Sequence, residues 1–236
     1  MGTGHRPVRP GWCGPCDEWL PYDPGIDGVH ARHRRDPSDA MSEVEAKKQL
    51  RISARAARAS QTDEERRTRS DRAVERLLAL PELGGSGGTV LLYAVHGDEV
   101  DPTGASLSLR DRGWRLLYPR VTGDSIEAAV GGDQRDLSIG FRGILEPTGP
   151  VVDPGHIDVA VIPGVAFDRR GGRLGQGAGH YDRLLGRLRP DCLRVGFAFA
   201  CQMAAHVPTE AHDEAVDVVI TEAATHRIVP IAPGPA

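Results

Sequence analysis

One glycine-rich segment, FDRRGGRLGQGAGHYDR at residues 167–183, has the composition of an anion-binding loop. Its glycines surround Arg173, and a predicted helix begins directly after them. Glycines let the backbone approach a ligand closely, while an arginine and a helix N-terminus add positive charge. The spacing matches neither a Walker loop nor the dinucleotide fingerprint. We therefore predict a phosphate-binding loop of another kind, with a flexible surface loop as the alternative.

Two aspartates accompany this loop and have the chemistry of magnesium ligands. Asp182 lies in the first turn of the predicted helix, and Asp213 lies in the next loop, AHDEAVD. Carboxylates beside bound polyphosphate are what Mg²⁺ requires. The alternatives are structural, because a helix dipole favours Asp182 and a helix cap would explain Asp213.

A basic helix near residue 50 is the third candidate element. The segment SEVEAKKQLRISARAARAS has helical character, and Ser42 with Glu45 fits a capping box at its start. A second helix is predicted to open at Thr62 with Glu65. The steps of four, four and three between basic residues place them on one helical face, although a solvated face has the same pattern. These residues are Lys47, Arg51, Arg55 and Arg58.

The rest of the chain has the pattern of an α/β protein that positions such loops. Apolar segments such as TVLLYAV, WRLLYPRV, IDVAVIPG, CLRVGFAFA and DVVITEA alternate with helical segments, including one predicted over residues 179–190. This alternation predicts a mostly parallel sheet with helices on both faces, hence three layers. Ligands of such folds bind beyond the carboxyl ends of the strands, where polar, glycine- or carboxylate-rich loops follow here.

Length and composition exclude several classes of protein. The chain has 236 residues, a net charge of −4, 39% hydrophobic and 26% charged residues. These values predict a soluble globular protein with a sizeable core, and no apolar run reaches the roughly 18 residues of a membrane helix. No secretory signal is evident, and four cysteines are too few for a disulfide scaffold. We expect a cytoplasmic protein with reduced thiols that binds neither nucleic acid nor membranes.

Residues 1–40 differ from the remainder and are predicted to be a separate N-terminal extension. The extension is rich in Gly, Pro, Asp and His and lacks helical or strand periodicity, so it is predicted to be disordered or a small Cys/His element. WCGPC resembles a dithiol redox site, but no strand precedes it. A zinc site is the better functional interpretation. Its ligands would be Cys13, Cys16, His30 and His33. Residues 41–236 are predicted to form a single domain, and an over-extended start before Met41 would also explain the extension.

Several motifs together resemble the 5-formyltetrahydrofolate cyclo-ligase family, also called 5,10-methenyltetrahydrofolate synthetase. They are KKQLRISARAAR, YPRV, GILEP, PGVAFDRRGGRLGQGAGHYDRLL, GFAFACQ and HDEAVDVVITE, in the expected order from about residue 46 to about residue 222. The resemblance implies a Rossmann-like α/β fold. It also implies Mg²⁺- and ATP-dependent conversion of 5-formyltetrahydrofolate, with or without a polyglutamate tail, to 5,10-methenyltetrahydrofolate, with release of ADP and phosphate.

The resemblance also implies roles for particular residues. Asp182 and Asp213 match the metal ligands, and Arg173, Lys47 and Tyr181 would act in catalysis. The nucleotide would contact Lys47, Lys48, Gln49, Leu50, Arg51, Arg173, Leu174, Gly175, Gln176, Gly177, Ala178, Gly179, His180 and Tyr181. The folate would contact Ala94, Glu99, Gln176, Gly177, Ala178, Gly179 and His180. The family usually has two tyrosines where this chain has His180 and Tyr181, and often an aromatic or basic residue where it has Gln176.

Two other functions fit parts of the pattern. A non-catalytic regulator that binds a nucleotide or folate would explain His180 and the N-terminal extension. A sugar-phosphate isomerase on a related fold could use Glu99 as its base, but it would leave the basic helix without a purpose.

Overall fold

The computed structural model describes residues 37–123, 125–132, 136–210 and 213–228. The predicted zinc ligands and almost all of the N-terminal extension lie outside these residues, so both remain predictions. None of the helices in the described part of the chain is long and apolar enough to cross a bilayer. The helices are α1 (Pro37–Ala59), α2 (Asp63–Leu78), α3 (Thr103–Asp111) and α4 (His180–Leu185).

Eight strands form one central sheet in the order β12-β11-β10-β7-β1-β2-β3-β6. Its five central strands, from β11 to β2, are parallel, and β12, β3 and β6 add antiparallel edges. Two small sheets, β4-β5 and β8-β9, lie outside it. The strands are β1 (Gly88–Leu91), β2 (Trp114–Thr122), β3 (Ser125–Val130), β4 (Leu137–Ile139), β5 (Leu145–Pro147), β6 (Val151–Val152), β7 (Val159–Pro163), β8 (Ala166–Phe167), β9 (Arg173–Leu174), β10 (Leu193–Phe197), β11 (Val218–Ile220) and β12 (Thr225–Arg227).

Apolar cores cover both faces of the sheet. Successive residues of a strand point to opposite faces, and Val90 and Leu91 accordingly belong to different cores. The first core includes Leu77 of α2 and Leu109 of α3, and the second includes Leu184 of α4. Burial on both faces explains why these strands are continuously apolar rather than alternating. The predicted three-layer α/β fold with a mostly parallel sheet is confirmed.

The helix boundaries differ from the sequence prediction in two places. Helix α1 begins at Pro37, so Ser42 lies inside the helix and the prediction that it caps the N-terminus is wrong. Helix α4 ends at Leu185 instead of continuing to residue 190, because Gly186, which has low helix propensity, follows directly. The predicted capping box of α2 is confirmed, with Thr62 and Glu65 bonded reciprocally.

The strand order creates a crevice beside β1. The chain runs from β1 through α3 to β2 on one side, whereas β7 pairs with the other side of β1. Loops that leave the carboxyl ends of β1 and β7 therefore diverge, and this topological switch point is where doubly wound folds bind ligands. The segments that the sequence singled out after these two strands meet at this edge.

A close contact inside the second core gives a test of the packing. The fully buried ring of Phe167 lies against Gly164 and Gly196. A Cβ atom at Gly196 would lie 2.5 Å from Phe167 Cε1, which forces the ring to move. We expect Gly196→Ala to lower the free energy of unfolding by about 1–3 kcal/mol, measured by urea denaturation.

Gly85→Ala is the matched control, because a Cβ atom there would meet no atom within 4 Å. Equal denaturation midpoints for the two variants would contradict the tight packing of Phe167.

Candidate functional site

A cavity of about 800 Å³ opens at the carboxyl ends of β1 and β7. Ala94 follows β1 in its wall, and Pro163 and Gly164 stand at the end of β7. Five Lys or Arg and six Asp or Glu side chains from the described residues line it, together with an apolar wall. This volume is large enough for a sizeable small-molecule ligand.

The hairpin of β8 and β9 holds Arg173 at the cavity. Asp168, buried to 1% exposure, fixes the intervening turn because its Oδ1 accepts from the backbone N–H groups of Arg170 and Gly172. Its Oδ2 accepts from Val207 N at 2.8 Å, which ties the hairpin to the following loop. Gly171 has a φ of +88°, a conformation that L side chains rarely adopt. Arg173 thus projects from a rigid hairpin.

Arg173 makes an ion pair at the floor of the cavity. Its Nη2 lies 2.5 Å from Asp182 Oδ1, and its guanidinium stands 5.9 Å from the centre of the Tyr181 ring. Burial is the main cause that raises the pKa of Tyr181, and the nearby Glu99 carboxyl raises it further. The phenol is therefore neutral near pH 7, able to donate a hydrogen bond but not to act as a base.

The basic face of α1 forms the opposite wall, as the sequence predicted. Lys47, Arg51, Arg55 and Arg58 all line the cavity, so the predicted common face is confirmed. Arg51 Nε donates to the carbonyl of Gly175 at 3.1 Å, and Arg55 bonds to the side chain of Gln176. These contacts hold α1 against the glycine-rich loop. The cations supply most of the positive charge, because α4, with six residues, is too short for a strong helix dipole.

Lys47 forms the second cluster of ion pairs. Its Nζ lies 2.8 Å from both Glu210 Oε1 and Asp213 Oδ2. Burial disfavours the charged ammonium, but the hydrogen bonds and attraction of Asp213 and Glu210 outweigh it and raise the pKa of Lys47. Lys47 is therefore fully charged near neutral pH.

Glu99 lies on the turn that follows β1. Its Oε2 accepts from His96 N at 3.3 Å. Burial raises the pKa of the Glu99 carboxyl, although the neighbouring Arg58 guanidinium opposes this shift. A half-desolvated carboxylate in a cavity is able to accept hydrogen bonds from a ligand or to take up a proton.

An apolar wall faces these charged groups. It comes from β2, β3 and the connection between β4 and β5, and Glu146 stands at its edge. Glu146 Oε1 accepts from Val121 N and Phe141 N, both at 3.2 Å, which holds the tip of the β4-β5 hairpin on β2. The wall suits a flat, apolar part of a ligand. Its members are Pro119, Val121, Ile126, Phe141 and Ile144.

Most of the predicted site residues meet in this one cavity. Three do not line it: Lys48 and Gln49 bond to Glu45 on another face of α1, and the half-buried Leu50 packs on an apolar cluster. The predicted residues that line it are Lys47, Arg51, Ala94, Glu99, Arg173, Leu174, Gly175, Gln176, Gly177, Ala178, Gly179, His180, Tyr181, Asp182 and Asp213.

Several lining residues were not assigned to the site from the sequence. Arg55 and Arg58 carried a usable signal, since they share the helical face of Lys47. Phe141 and Glu146 lie in or beside the GILEP motif, which marks them by resemblance only. Glu210 has no local signal, because only the folded chain brings it to Lys47.

The carboxylates of the cavity could hold a hard cation such as Mg²⁺ only if a bound ligand supplied further oxygen atoms. No group of three or more His, Cys, Asp or Glu residues that could hold a metal occurs in the described segments. Asp182 and Asp213 nevertheless line the same cavity, and each already pairs with a cationic side chain. Magnesium bound to nucleotides commonly has one or two carboxylate ligands, with phosphates and water completing its shell. The two aspartates fit that arrangement.

The described thiols lack the features of a nucleophile. Burial raises the pKa of Cys192 to about 11 and also raises that of Cys201. Both sulfurs are therefore protonated near neutral pH, the less reactive form.

The fold and the cavity define an α/β protein with a charged cavity at its topological switch point. The family model of the 5-formyltetrahydrofolate cyclo-ligase family matches residues 43–222. The chain therefore belongs to the 5-formyltetrahydrofolate cyclo-ligase family and is an enzyme of the ligase class.

Curated relatives have the same description. A 5-formyltetrahydrofolate cyclo-ligase of Mycolicibacterium smegmatis is 30% identical over 144 residues, which cover 58% of this chain and 74% of that relative. The cyclo-ligase of Haemophilus influenzae is 40% identical over 75 residues, which cover 30% of this chain and 40% of that relative. The second match thus spans less than half of the relative's length.

Solved structures share the fold. The 5,10-methenyltetrahydrofolate synthetase of Aquifex aeolicus superposes with a TM-score of 0.69 at 36% identity, covering 80% of this chain and 95% of that one. That of Mycoplasma pneumoniae gives a TM-score of 0.61 at 24% identity, covering 75% and 98%, and supports the fold alone.

The ion pairs of Lys47 predict that replacing Lys47 lowers the stability of the protein more than replacing the adjacent Lys48 does. Lys47→Met removes the buried ammonium group that bonds to the Glu210 and Asp213 carboxylates, so we expect the free energy of unfolding to fall by about 1–3 kcal/mol near pH 7. Lys48 is exposed and pairs only with Glu45 three residues away. Lys48→Met should therefore stay within the error of wild type in the same chemical denaturation experiment, and similar losses for both variants would contradict the buried cluster.

Proposed function

We propose that this chain converts 5-formyltetrahydrofolate to 5,10-methenyltetrahydrofolate with consumption of ATP. The observation that carries the proposal is the cavity that joins a cationic wall to an apolar wall with the half-buried carboxylate of Glu99. Lys47, Arg51, Arg55 and Arg173 suit a triphosphate. The apolar wall with Glu99 suits a flat heterocycle that bears N–H donors. Family membership favours this ligase over the regulator and the isomerase considered from the sequence.

The nucleotide phosphates would lie between α1 and the glycine-rich loop. Arg51 and Arg55 hold that loop from the helix side, and Arg173 approaches from the hairpin. Lys47 would exchange a carboxylate partner for a phosphate oxygen. Since phosphoryl transfer needs mainly positioning and charge neutralisation, we expect these cationic side chains to carry the catalysis.

Asp182 and Asp213 would hold the magnesium ion that accompanies ATP. When bound, the ion would neutralise charge on the nucleotide phosphates. The two aspartates also pair with Arg173 and Lys47 in the free enzyme. They would therefore orient both the metal ion and the cationic side chains that bind phosphate.

The chemistry proceeds in two steps. The formyl oxygen on N5 attacks the γ-phosphorus of ATP, the bond to the β-γ bridging oxygen breaks, and ADP leaves. N10 then attacks the activated formyl carbon, the carbon–oxygen bond breaks, phosphate departs, and the N10 proton passes to phosphate or solvent. Phosphorylation turns a poor leaving group into a good one, so no side-chain nucleophile is required.

The chain's own residues would orient and shield these steps. Glu99 would accept hydrogen bonds from the folate ring and hold it in register. Tyr181, as a neutral phenol, would donate a hydrogen bond at the floor of the cavity, beside Arg173. The apolar wall would exclude water from the activated intermediate.

The partners and compartment belong to the same proposal. ATP and 5-formyltetrahydrofolate, with or without a polyglutamate tail, are the expected ligands, and nucleic acid and membranes are not. We expect the enzyme to work in the cytoplasm.

A direct assay tests the reaction. Purified protein with 5-formyltetrahydrofolate and Mg-ATP should form the methenyl product, followed by its near-ultraviolet absorbance, and none should form without ATP. Arg51→Met should lower kcat/KM for ATP by about 10- to 100-fold, because a guanidinium beside the phosphates is lost.

Arg67→Met on the exposed surface of α2 makes the same chemical change away from the cavity and should keep wild-type rates. Folded protein that binds ATP but forms no product would refute the proposed reaction.

The internal ion pairs predict that ATP and Mg²⁺ bind cooperatively. Without the metal, Asp182 and Asp213 keep Arg173 and Lys47 occupied and repel phosphate. We therefore expect chelation of Mg²⁺ to raise the dissociation constant of ATP by at least about tenfold in isothermal titration calorimetry.

Asp213→Asn should narrow the difference between the dissociation constants of ATP with and without Mg²⁺, because it frees Lys47 from one carboxylate and removes one proposed metal ligand. Equal ATP affinity with and without Mg²⁺ in the wild-type enzyme would contradict the arrangement.

A further inference from the structure

Arg58 is the most deeply buried cation on the basic face of α1. It is 5% exposed, and its Nη2 lies 2.6 Å from Asp98 Oδ1. Arg58 belongs to the last turn of α1, whereas Asp98 belongs to the turn after β1. The ion pair therefore joins the helix that lines the proposed phosphate site to the turn that carries Glu99.

The turn has internal bonds that shape it but do not fix its place on the helix. Gly97 has a φ of +63°, and Glu99 Oε2 accepts from His96 N. The buried Tyr93 hydroxyl donates to the carbonyl of Val100 and closes the base of the turn. The Arg58–Asp98 pair joins this turn to α1.

The remaining donors of Arg58 indicate that the ion pair does more than stabilise the fold. Its Nε and Nη1 atoms are buried and have no hydrogen-bond partner among the described residues. Burying unpaired donors of a cation is costly. The guanidinium nevertheless stands in the cavity wall near the half-buried Glu99 carboxyl, where its charge favours the ionised form of that carboxyl.

We propose that Arg58 and Asp98 are positioning residues that hold Glu99 in the cavity as an oriented carboxylate. The proposal rests on the proposed function in one respect, because the contact between Glu99 and the folate belongs to that function. The orientation and charge of Glu99 can be measured without turnover, so the two proposals can fail separately.

Arg58 and Asp98 act on Glu99 in opposite directions. Burial is the largest cause and raises the pKa of Glu99; Arg58 lowers it, and Asp98 raises it. The groups that face Glu99 are Arg58 from α1, His96 and Asp98 from its own turn, Tyr93 from the end of β1, and Tyr181 from α4.

Carbon NMR of the ligand-free protein tests the proposal. The Glu99 side-chain carboxyl resonance, assigned by its loss in Glu99→Gln, reports the pKa directly. Arg58→Met removes a positive charge and should raise this pKa, so Glu99 becomes protonated at higher pH than in wild type. Asp98→Asn removes a negative charge at nearly constant volume and should lower it.

Steady-state kinetics tests the positioning. Both variants release the turn from α1, so the KM for 5-formyltetrahydrofolate should rise by about tenfold while the dissociation constant of Mg-ATP stays within about twofold. Arg58→Lys keeps the charge and should recover part of the folate KM. Arg227→Met breaks a bidentate ion pair with Glu82 outside the cavity and should match wild type.

Two results would overturn the proposal. A Glu99 pKa that moves in the same direction in Arg58→Met and Asp98→Asn would show a general loss of structure instead of two opposed charges. An equal rise in the folate KM and in the dissociation constant of Mg-ATP would show that the Arg58–Asp98 pair only supports the fold. If Arg58→Met does not fold, Asp98→Asn decides alone: a lowered pKa with a raised folate KM supports the proposal, and an unchanged pKa overturns it.

Discussion

Neutralisation of charge inside one cavity is the constraint on which the site depends. Five Lys or Arg and six Asp or Glu side chains line the same space, and like charges gathered there would repel one another without partners. Ion pairs between different elements solve this problem in the free protein. Lys47 joins α1 to Asp213, Arg58 joins it to the turn after β1, and Arg173 joins β9 to α4. A bound polyanion and its metal ion would take the place of some of these ion-pair partners. Binding would then exchange one set of paired charges for another.

The fold supplies the geometry that makes such pairing feasible. Parallel strands bring loops from distant parts of the chain to one edge, and the divergence of β1 and β7 opens a gap between them. Rigid local structures then fix the individual groups. Asp168 holds the β8-β9 turn, and Glu146 holds the tip of the β4-β5 hairpin against β2. Helix α1 closes the gap as a separate wall, bonded to the glycine-rich loop through Arg51.

The sequence predicted the features that depend on local periodicity or composition. The cationic face of α1 follows from steps of three and four, and the alternation of apolar segments predicted the three layers. Lys48, Gln49 and Leu50 were included only because the resemblance transferred a contiguous segment, whereas a helix turns neighbouring residues to different faces. Glu210 and Phe141 reach the cavity through long-range packing, which no local pattern encodes. The start of α1 and the end of α4 were misplaced because capping and propensity signals fix helix ends poorly.

The order of these contacts along the chain has a consequence for how the enzyme forms during synthesis. Lys47 and Asp213 are separated by 166 positions, and Arg51 and Gly175 by 124. The ribosome makes α1 first, and the carboxylate and the loop that α1 contacts emerge only 124 to 166 positions later. Contacts of such high sequence separation form late and slow folding. Until those residues emerge, Lys47 and Arg51 lack these partners on the nascent polypeptide and are open to any polyanion nearby.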